Sequence, residues 1–334
     1  GYINRHNYEP AALESAQRYL SKALELDPTL GDAYITYAYV LFFQKNLDAA
    51  REKAAQASRL NANQTDLLIL QAFLANAEKK SDDAIALANK VVATTGDKTA
   101  LHQAHQELGR AYTQKKEYDQ VEASYEARLK LYPQFAWDHA NYSEFLSWRG
   151  KYEAAILHAE AALKLMDFGA GHGALAYAYR SKGDHLLWTI GDARQAQQHY
   201  HLALEHNPGS SEAHYGAGMA CRAIAASQAK SSMLGQCGES IEKALKLNPS
   251  LPYAKTVLDK LPDFKVAINM PGRTADEHLK RGLVYLKATG YDEGMKDLQK
   301  ALEMEPTRIE IYRELDNVLS ERREWDAVIA MWTK

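Results

Sequence analysis

Long apolar runs are missing from this chain. The longest, around Ala38–Phe43, falls well short of the ~18 apolar residues that cross a bilayer as a helix, so direct membrane insertion is not expected. No signal peptide is visible. Charge of one sign is missing too: 40 Lys and Arg stand against 43 Asp and Glu, for a net charge of −3. That balance gives no electrostatic reason to expect nucleic acid or an anionic membrane as partner. Cysteine is scarce; Cys221 and Cys237 cannot build a disulfide framework, and no metal-type cysteine spacing exists. There is no Gly-x-Ser-x-Gly elbow and no His-Glu-x-x-His pair, so neither an enzyme nor a cofactor is expected.

What the chain does have is a recurring helix ending. Lys22-Ala23-Leu24-Glu25-Leu26-Asp27-Pro28 returns around Leu129–Pro133, Leu163–Asp167, Leu204–Pro208, Leu245–Pro249 and Leu302–Pro306. Each copy reads as the last turns of an amphipathic helix, stopped mostly by a proline that cannot donate to the helical ladder. Copies at this spacing mark a repeat protein in which helix pairs stack because no pair can bury its own apolar face.

Ala16, Leu20 and Ala23, followed by Pro28, resemble the second helix of a tetratricopeptide repeat, and the phase continues at about 34 residues. Ala50, Ala54 and Ala57 repeat it, as do Ala84, Ala88 and Val91, then Ala155, Ala159 and Ala162. Leu108-Gly109 with Tyr112 resembles the family's first-helix signature, and Gly282 with Tyr285 and Gly290-Tyr291 resume it late in the chain. The resemblance covers nearly the whole chain in about eight full or partial units. It implies an all-α fold, a right-handed α-α superhelix of antiparallel helix pairs.

The interval between terminators then lengthens: Asp167 to Pro208 is 41 residues, and so is Pro208 to Pro249. Seven extra residues are close to two helical turns. One added turn on each helix of a pair would raise a local wall carrying Leu187, Trp188, Ile190, Met233 and Leu234. Two solvent loops punctuated by Gly183, Gly191, Gly235 and Gly238 are the alternative. Cys221 and Cys237 fall in the two helices of one such unit; buried free thiols are expected, with pairing as the other reading.

Residues 262–274 hold Pro262, Pro271 and Gly272 and read as a linker. Phe264, Val266 and Ile268 alternate with Lys265, Ala267 and Asn269, which predicts an extended segment docked on the array. The organisation expected is therefore an array over 1–261 with two lengthened repeats near 168–249, the linker 262–274, and a C-terminal repeat pair over 275–334 whose last member is incomplete. The opening on Gly1 rather than Met reads as a processing boundary, before which an anchor or domain could lie.

In the family that the chain resembles, first helices line a concave groove that receives a peptide or a partner's helix. Carried over position by position, the groove residues are Tyr39 and Phe42, Ile69 and Phe73, Gln106 and Arg110, then Trp137, Asn141, Glu144 and Trp148, then Tyr177 and Arg180, and finally Tyr215, Met219 and Arg222. Aromatics with Arg are what interface hot spots use. The Lys and Asn clamp that binds chaperone C-termini is not matched: Asn141 is present, but the Lys positions hold Ile35, Ile69, Gln106 and Ala140.

Gly169-Ala170-Gly171-His172-Gly173 has the letters of a phosphate loop but follows a helix rather than a strand. Asp167-Phe168-Gly169 matches a kinase triplet by letters alone. His102 with His105, and His199 with His201, lack third and fourth ligands, so surface or groove histidines are expected and no metal.

The leading expectation is a protein–protein interaction module binding a peptide or partner domain. The stretch from Glu9-Pro10 to Ala33-Tyr34 resembles the start of arrays appended to bacterial winged-helix regulators, adenylate cyclases and Ser/Thr kinases, which implies a regulatory or sensor segment. The alternative is a structural scaffold for secretion or envelope assembly, self-associating through Trp325, Val328, Ile329 and Trp332 as a homo-oligomer. The expected compartment is cytoplasmic, with periplasmic as the alternative.

Overall fold

The computed structural model describes residues 9–321 except Asn61, together with Glu324, Asp326 and Ala327. Among these residues there is no strand. The helices in chain order are α1 (Pro10–Leu26), α2 (Gly31–Phe43), α3 (Leu47–Arg59), α4 (Gln64–Ala77), α5 (Ser81–Thr94), α6 (Lys98–Lys115), α7 (Tyr118–Leu131), α8 (Ala136–Trp148) and α9 (Tyr152–Leu165). They continue as α10 (Gly169–His185), α11 (Ala193–His206), α12 (Ser211–Ser227), α13 (Leu234–Leu247), α14 (Ala254–Asp259), α15 (Leu261–Asn269), α16 (Ala275–Lys287), α17 (Tyr291–Met304) and α18 (Ile309–Glu321). The chain divides into two compact units, Gly1–Tyr142 and Ser143–Lys334. The proposed oligomer-forming face at Trp325, Val328, Ile329 and Trp332 lies outside the described residues.

Consecutive helices pair as antiparallel hairpins: α2 with α3, α4 with α5 and α6 with α7 in the first unit, then α10 with α11, α12 with α13 and α16 with α17 in the second. The sequence shows why. Second helices place small residues at i, i+4 and i+7: Ala50, Ala54, Ala57 in α3, Ala84, Ala88, Val91 in α5, Ala155, Ala159, Ala162 in α9, all buried. That spacing puts them on one stripe, and their size lets the neighbouring helix approach closely. Two glycines are required by the same closeness. A Cβ on Gly216 would stand 2.3 Å from the buried ring of Tyr200, and one on Gly31 would stand 2.9 Å from the backbone of Ala62.

Short polar caps set several helix starts. Asn63 accepts from the amides of Thr65 and Asp66, Asp97 from Ala100 and Ser210 from Ala213, while Thr274 and Glu277 form a reciprocal capping box. Each cap is worth roughly 1 kcal/mol. The turn from first to second helix uses a left-handed residue, which is Lys45, Lys79 and Lys116 in the first unit.

Three expectations are corrected here. The extra length of the two 41-residue repeats does not go one turn to each helix: α11 and α13 keep 14 residues, whereas α10 and α12 have 17. A π-helical turn at Leu186–Ile190 prolongs α10, and a 3₁₀ turn at Ser231–Met233 precedes α13. Leu187 and Leu234 are buried, while Trp188 and Ile190 are exposed, so these residues form neither a common wall nor open loops.

Residues 261–269 are helical rather than extended. Pro262 lies in the first turn of α15, where its missing N–H costs nothing, and Phe264, Ala267 and Ile268 are buried at helical spacing while Val266 is exposed. Finally, Cys221 on α12 and Cys237 on α13 form a disulfide, with Cα atoms 5.3 Å apart, instead of two free thiols.

Candidate functional site

Within the first unit, α2, α4 and α6 lie side by side and leave a groove of about 550 Å³. Its apolar lining is Ile35, Tyr39 and Phe43 from α2 with Ile69 and Phe73 from α4. The aromatic rings pack on one another. Phe73 meets Tyr39 at 5.2 Å and Phe43 at 6.2 Å between centroids, and the Arg110 guanidinium lies 5.8 Å from the Phe73 centroid. Burial, with Glu107 and Asp66 adding to it, raises the Tyr39 phenol pKa above its ordinary value, so the hydroxyl stays a neutral donor.

A polar network backs this wall. Glu107 is buried, pairs with Arg110, and accepts from the Asn76 amide at 2.9 Å; Gln114 donates to the Asn76 carbonyl at 2.9 Å. Arg110 is thereby held over Phe73 by a carboxylate that is itself fixed. At the other end of the groove stand Asp32, Asp66 and Thr99, one from the first turn of each helix. Asp32 accepts from the Asn63 amide at 2.7 Å. Desolvation raises the Asp66 pKa above the usual aspartate value, and the negative charges of Asp32 and Asp97 push it the same way.

Of the sequence-predicted residues, Tyr39, Phe73 and Arg110 meet in this groove, with Ile69 and Gln106 beside them. Phe42 does not line it; its ring packs edge-on against Phe73 at 4.6 Å. Trp137 is half-buried and Asn141 exposed on α8. Asp32, Phe43, Asp66, Gln103 and Glu107 were not anticipated. Their signal was available: Asp32, Asp66 and Thr99 lie seven or four residues before Tyr39, Phe73 and Gln103, on the same helical face.

A second groove, of about 630 Å³, lies within the second unit. It brings together Glu144, Trp148, Tyr177 and Arg180, all predicted, with Glu212. Trp148 is 55% exposed, and Arg180 covers the Tyr177 ring at 4.9 Å while pairing with Asp184 at 2.7 Å. Desolvation raises the Glu144 carboxyl pKa.

Tyr215, Met219 and Arg222 line neither of these grooves. Tyr215 is half-buried and Met219 is 7% exposed in the core formed with Leu187, Tyr200 and Ile241. Arg222 is 4% exposed; it covers the Phe264 ring at 4.6 Å and donates to the hydroxyl and carbonyl of Thr289 at 3.0 and 3.1 Å. The physical reason is what packs on α12: Met219 is enclosed by neighbouring helices, and Arg222 is covered by Phe264 of α15 and by Thr289 in the α16–α17 turn.

His102 also departs from expectation. It is buried, not at the surface, with Nε2 2.6 Å from Asp138, which also accepts from Arg128. Gly169–Gly173 form the first turn of α10, directly after α9. Among the described residues no three His, Cys, Asp or Glu side chains gather where a metal could sit, and no helix is long and apolar enough to cross a membrane.

Stacked helix pairs with a groove on the first helices define an α-α solenoid. Residues 102–135 match the family model of the tetratricopeptide repeat. No curated protein matches it. Similar solved structures include a tetratricopeptide repeat protein from Parabacteroides merdae, at 15% identity and TM-score 0.46 over 86% of this chain and 98% of that one. Another is the C-terminal part of a repeat-containing protein from Cytophaga hutchinsonii, at 14% identity and TM-score 0.49 over 83% and 97%. A third is the P58(IPK) TPR domain, at 15% and 0.29 over 93% and 94%. The tetratricopeptide repeat fold generally mediates protein–protein interaction, and its members are generally non-enzymatic.

Proposed function

We propose that this chain is an interaction module that holds a partner's peptide in the groove on α2, α4 and α6. The observation that carries this is the aromatic wall of Tyr39, Phe43 and Phe73, with Arg110 fixed across it by Glu107. Rigid aromatics and a preorganised Arg bury large area at small entropic loss, which is what binding hot spots require. Tyr39→Ala is expected to weaken peptide binding by about 2 kcal/mol, roughly thirtyfold, with the helical fold retained on circular dichroism. Isothermal titration with a groove-binding peptide selected from a display library checks this; equal affinity for both proteins would place the binding surface elsewhere. A regulatory or sensor role belongs to the same proposal, the array reading a partner for a neighbouring segment.

The disulfide supports an oxidising compartment, the periplasmic alternative rather than the cytoplasmic one, because cytosolic thiols are kept reduced. Unreduced protein unfolded in guanidinium should then show no free thiol on titration with a thiol reagent. Reduction should cost about 3 kcal/mol, the value for a closed loop of roughly this length, and lower the melting temperature of the second unit. A full complement of two free thiols in protein purified without reductant would overturn the compartment.

A further inference from the structure

We propose that the groove on α2, α4 and α6 selects an extended segment that carries a Lys or Arg beside an aromatic or aliphatic anchor. This rests on the reading of that groove as the peptide site and adds the chemistry of its occupant. The charges lining it are Asp32, Asp66, Glu107 and Arg110. Glu107 and Arg110 neutralise one another, and Glu107 spends its other oxygen on Asn76. What remains is two carboxylates, both solvent-exposed and both from the first turn of a groove helix.

These two differ in a useful way. Asp32 is tied to the Asn63 amide, whereas Asp66, whose backbone amide caps onto Asn63, has a carboxylate with no hydrogen bond or ion pair to any described residue. It stands near Asp32 and Asp97 with no cation of the groove near enough to answer it, and this mutual repulsion agrees with the direction in which its pKa is moved. A ligand cation would relieve it. An acidic ligand would add a third negative charge and meet only an Arg already paired. Charge complementarity therefore favours a cationic segment, with the apolar side chain beside its cation seated against Ile35, Ile69 and Phe73. The occupant is opposite in sign to the C-terminal carboxylate that a Lys clamp takes, in keeping with Ile35 and Ile69 standing where that clamp needs Lys.

The test uses the full chain and a matched set of fluorescein-labelled peptides. They share one Phe-Leu core and differ only at the flanking positions, which carry Lys, Arg, Gln or Glu. In fluorescence anisotropy at low salt, the Lys and Arg peptides should bind roughly three- to fivefold tighter than the Gln peptide, and the Glu peptide weakest. The preference should shrink as salt rises. Asp66→Asn, which removes an exposed carboxylate, should shrink most of the Lys peptide's advantage over the Gln peptide. A Lys preference that survives Asp66→Asn, or equal affinity for the Gln and Lys peptides, overturns the cationic assignment. Tyr39→Ala separates the two levels. If it weakens every peptide but charge does not matter, the groove stands and only its ligand chemistry is wrong. If it weakens none, the groove reading itself fails.

Discussion

Replacing Asp138 with Ala is expected to cost the first unit about 3–5 kcal/mol, the range for removing one partner from a buried ion pair. Asp138 is fully buried, pairs with Arg128, and lies 2.6 Å from His102 Nε2. The rings of Tyr132 and Phe135 pack edge-on against His102 at 5.4 and 5.5 Å. The variant leaves the Arg128 guanidinium buried without its counter-charge, which is where most of the loss arises. Urea denaturation followed by circular dichroism measures it. Adding Arg128→Ala to Asp138→Ala should return part of the stability, because the orphaned charge disappears and the seam regains the small residue its sister helices have. A single variant as stable as the parent would mean that the network is solvated.

Phe264→Ala is the second large effect, again about 3–5 kcal/mol and confined to the second unit. Phe264 is fully buried between Tyr285, at 5.1 Å, and the guanidinium of Arg222. Truncation removes the ring and strips Arg222 of its apolar cover together. An extended linker lying on the surface would lose far less. Thermal melts, combined with hydrogen exchange across residues 261–269, distinguish the two. Strong protection in the parent and its loss in the variant are expected; fast exchange in both would contradict a packed α15.

The Ala stripes of α3, α5 and α9 were legible because periodicity in small residues has one physical use, a close helix contact. Groove positions were legible as far as the counting phase held, which is why Tyr39, Phe73, Arg110, Trp148 and Arg180 all line cavities. After Arg180 the phase slips, where the π-helical turn at Leu186–Ile190 adds residues. Arg222 lies on a face of α12 that α15 and Thr289 cover, and no single-chain count reveals that a later segment folds back onto a helix. Phe264–Ile268 failed for a different reason. Over five residues a period of two and a helical stripe overlap, since i and i+4 belong to both, and only the burial of Ala267 against the exposure of Val266 separates them. The disulfide required the register of α13 on α12, which the 3₁₀ turn at 231–233 sets. One clue in α7 was readable: Arg128 occupies the seam position that α9 fills with Ala162, and a buried Arg demands a carboxylate.

The left-handed turns carry a consequence of their own. From Lys45 to Lys79 is 34 residues, from Lys79 to Lys116 is 37, and from Lys116 to Gly150 is again 34. From α3 onward the second helices α3, α5, α7, α9, α11, α13 and α17 have 13 or 14 residues, while first helices range from 13 in α2 to 18 in α6. Joint and rear arm are standard parts; the front arm is cut to measure. Such a chain can reshape the surface that meets its partners without altering how its repeats stack.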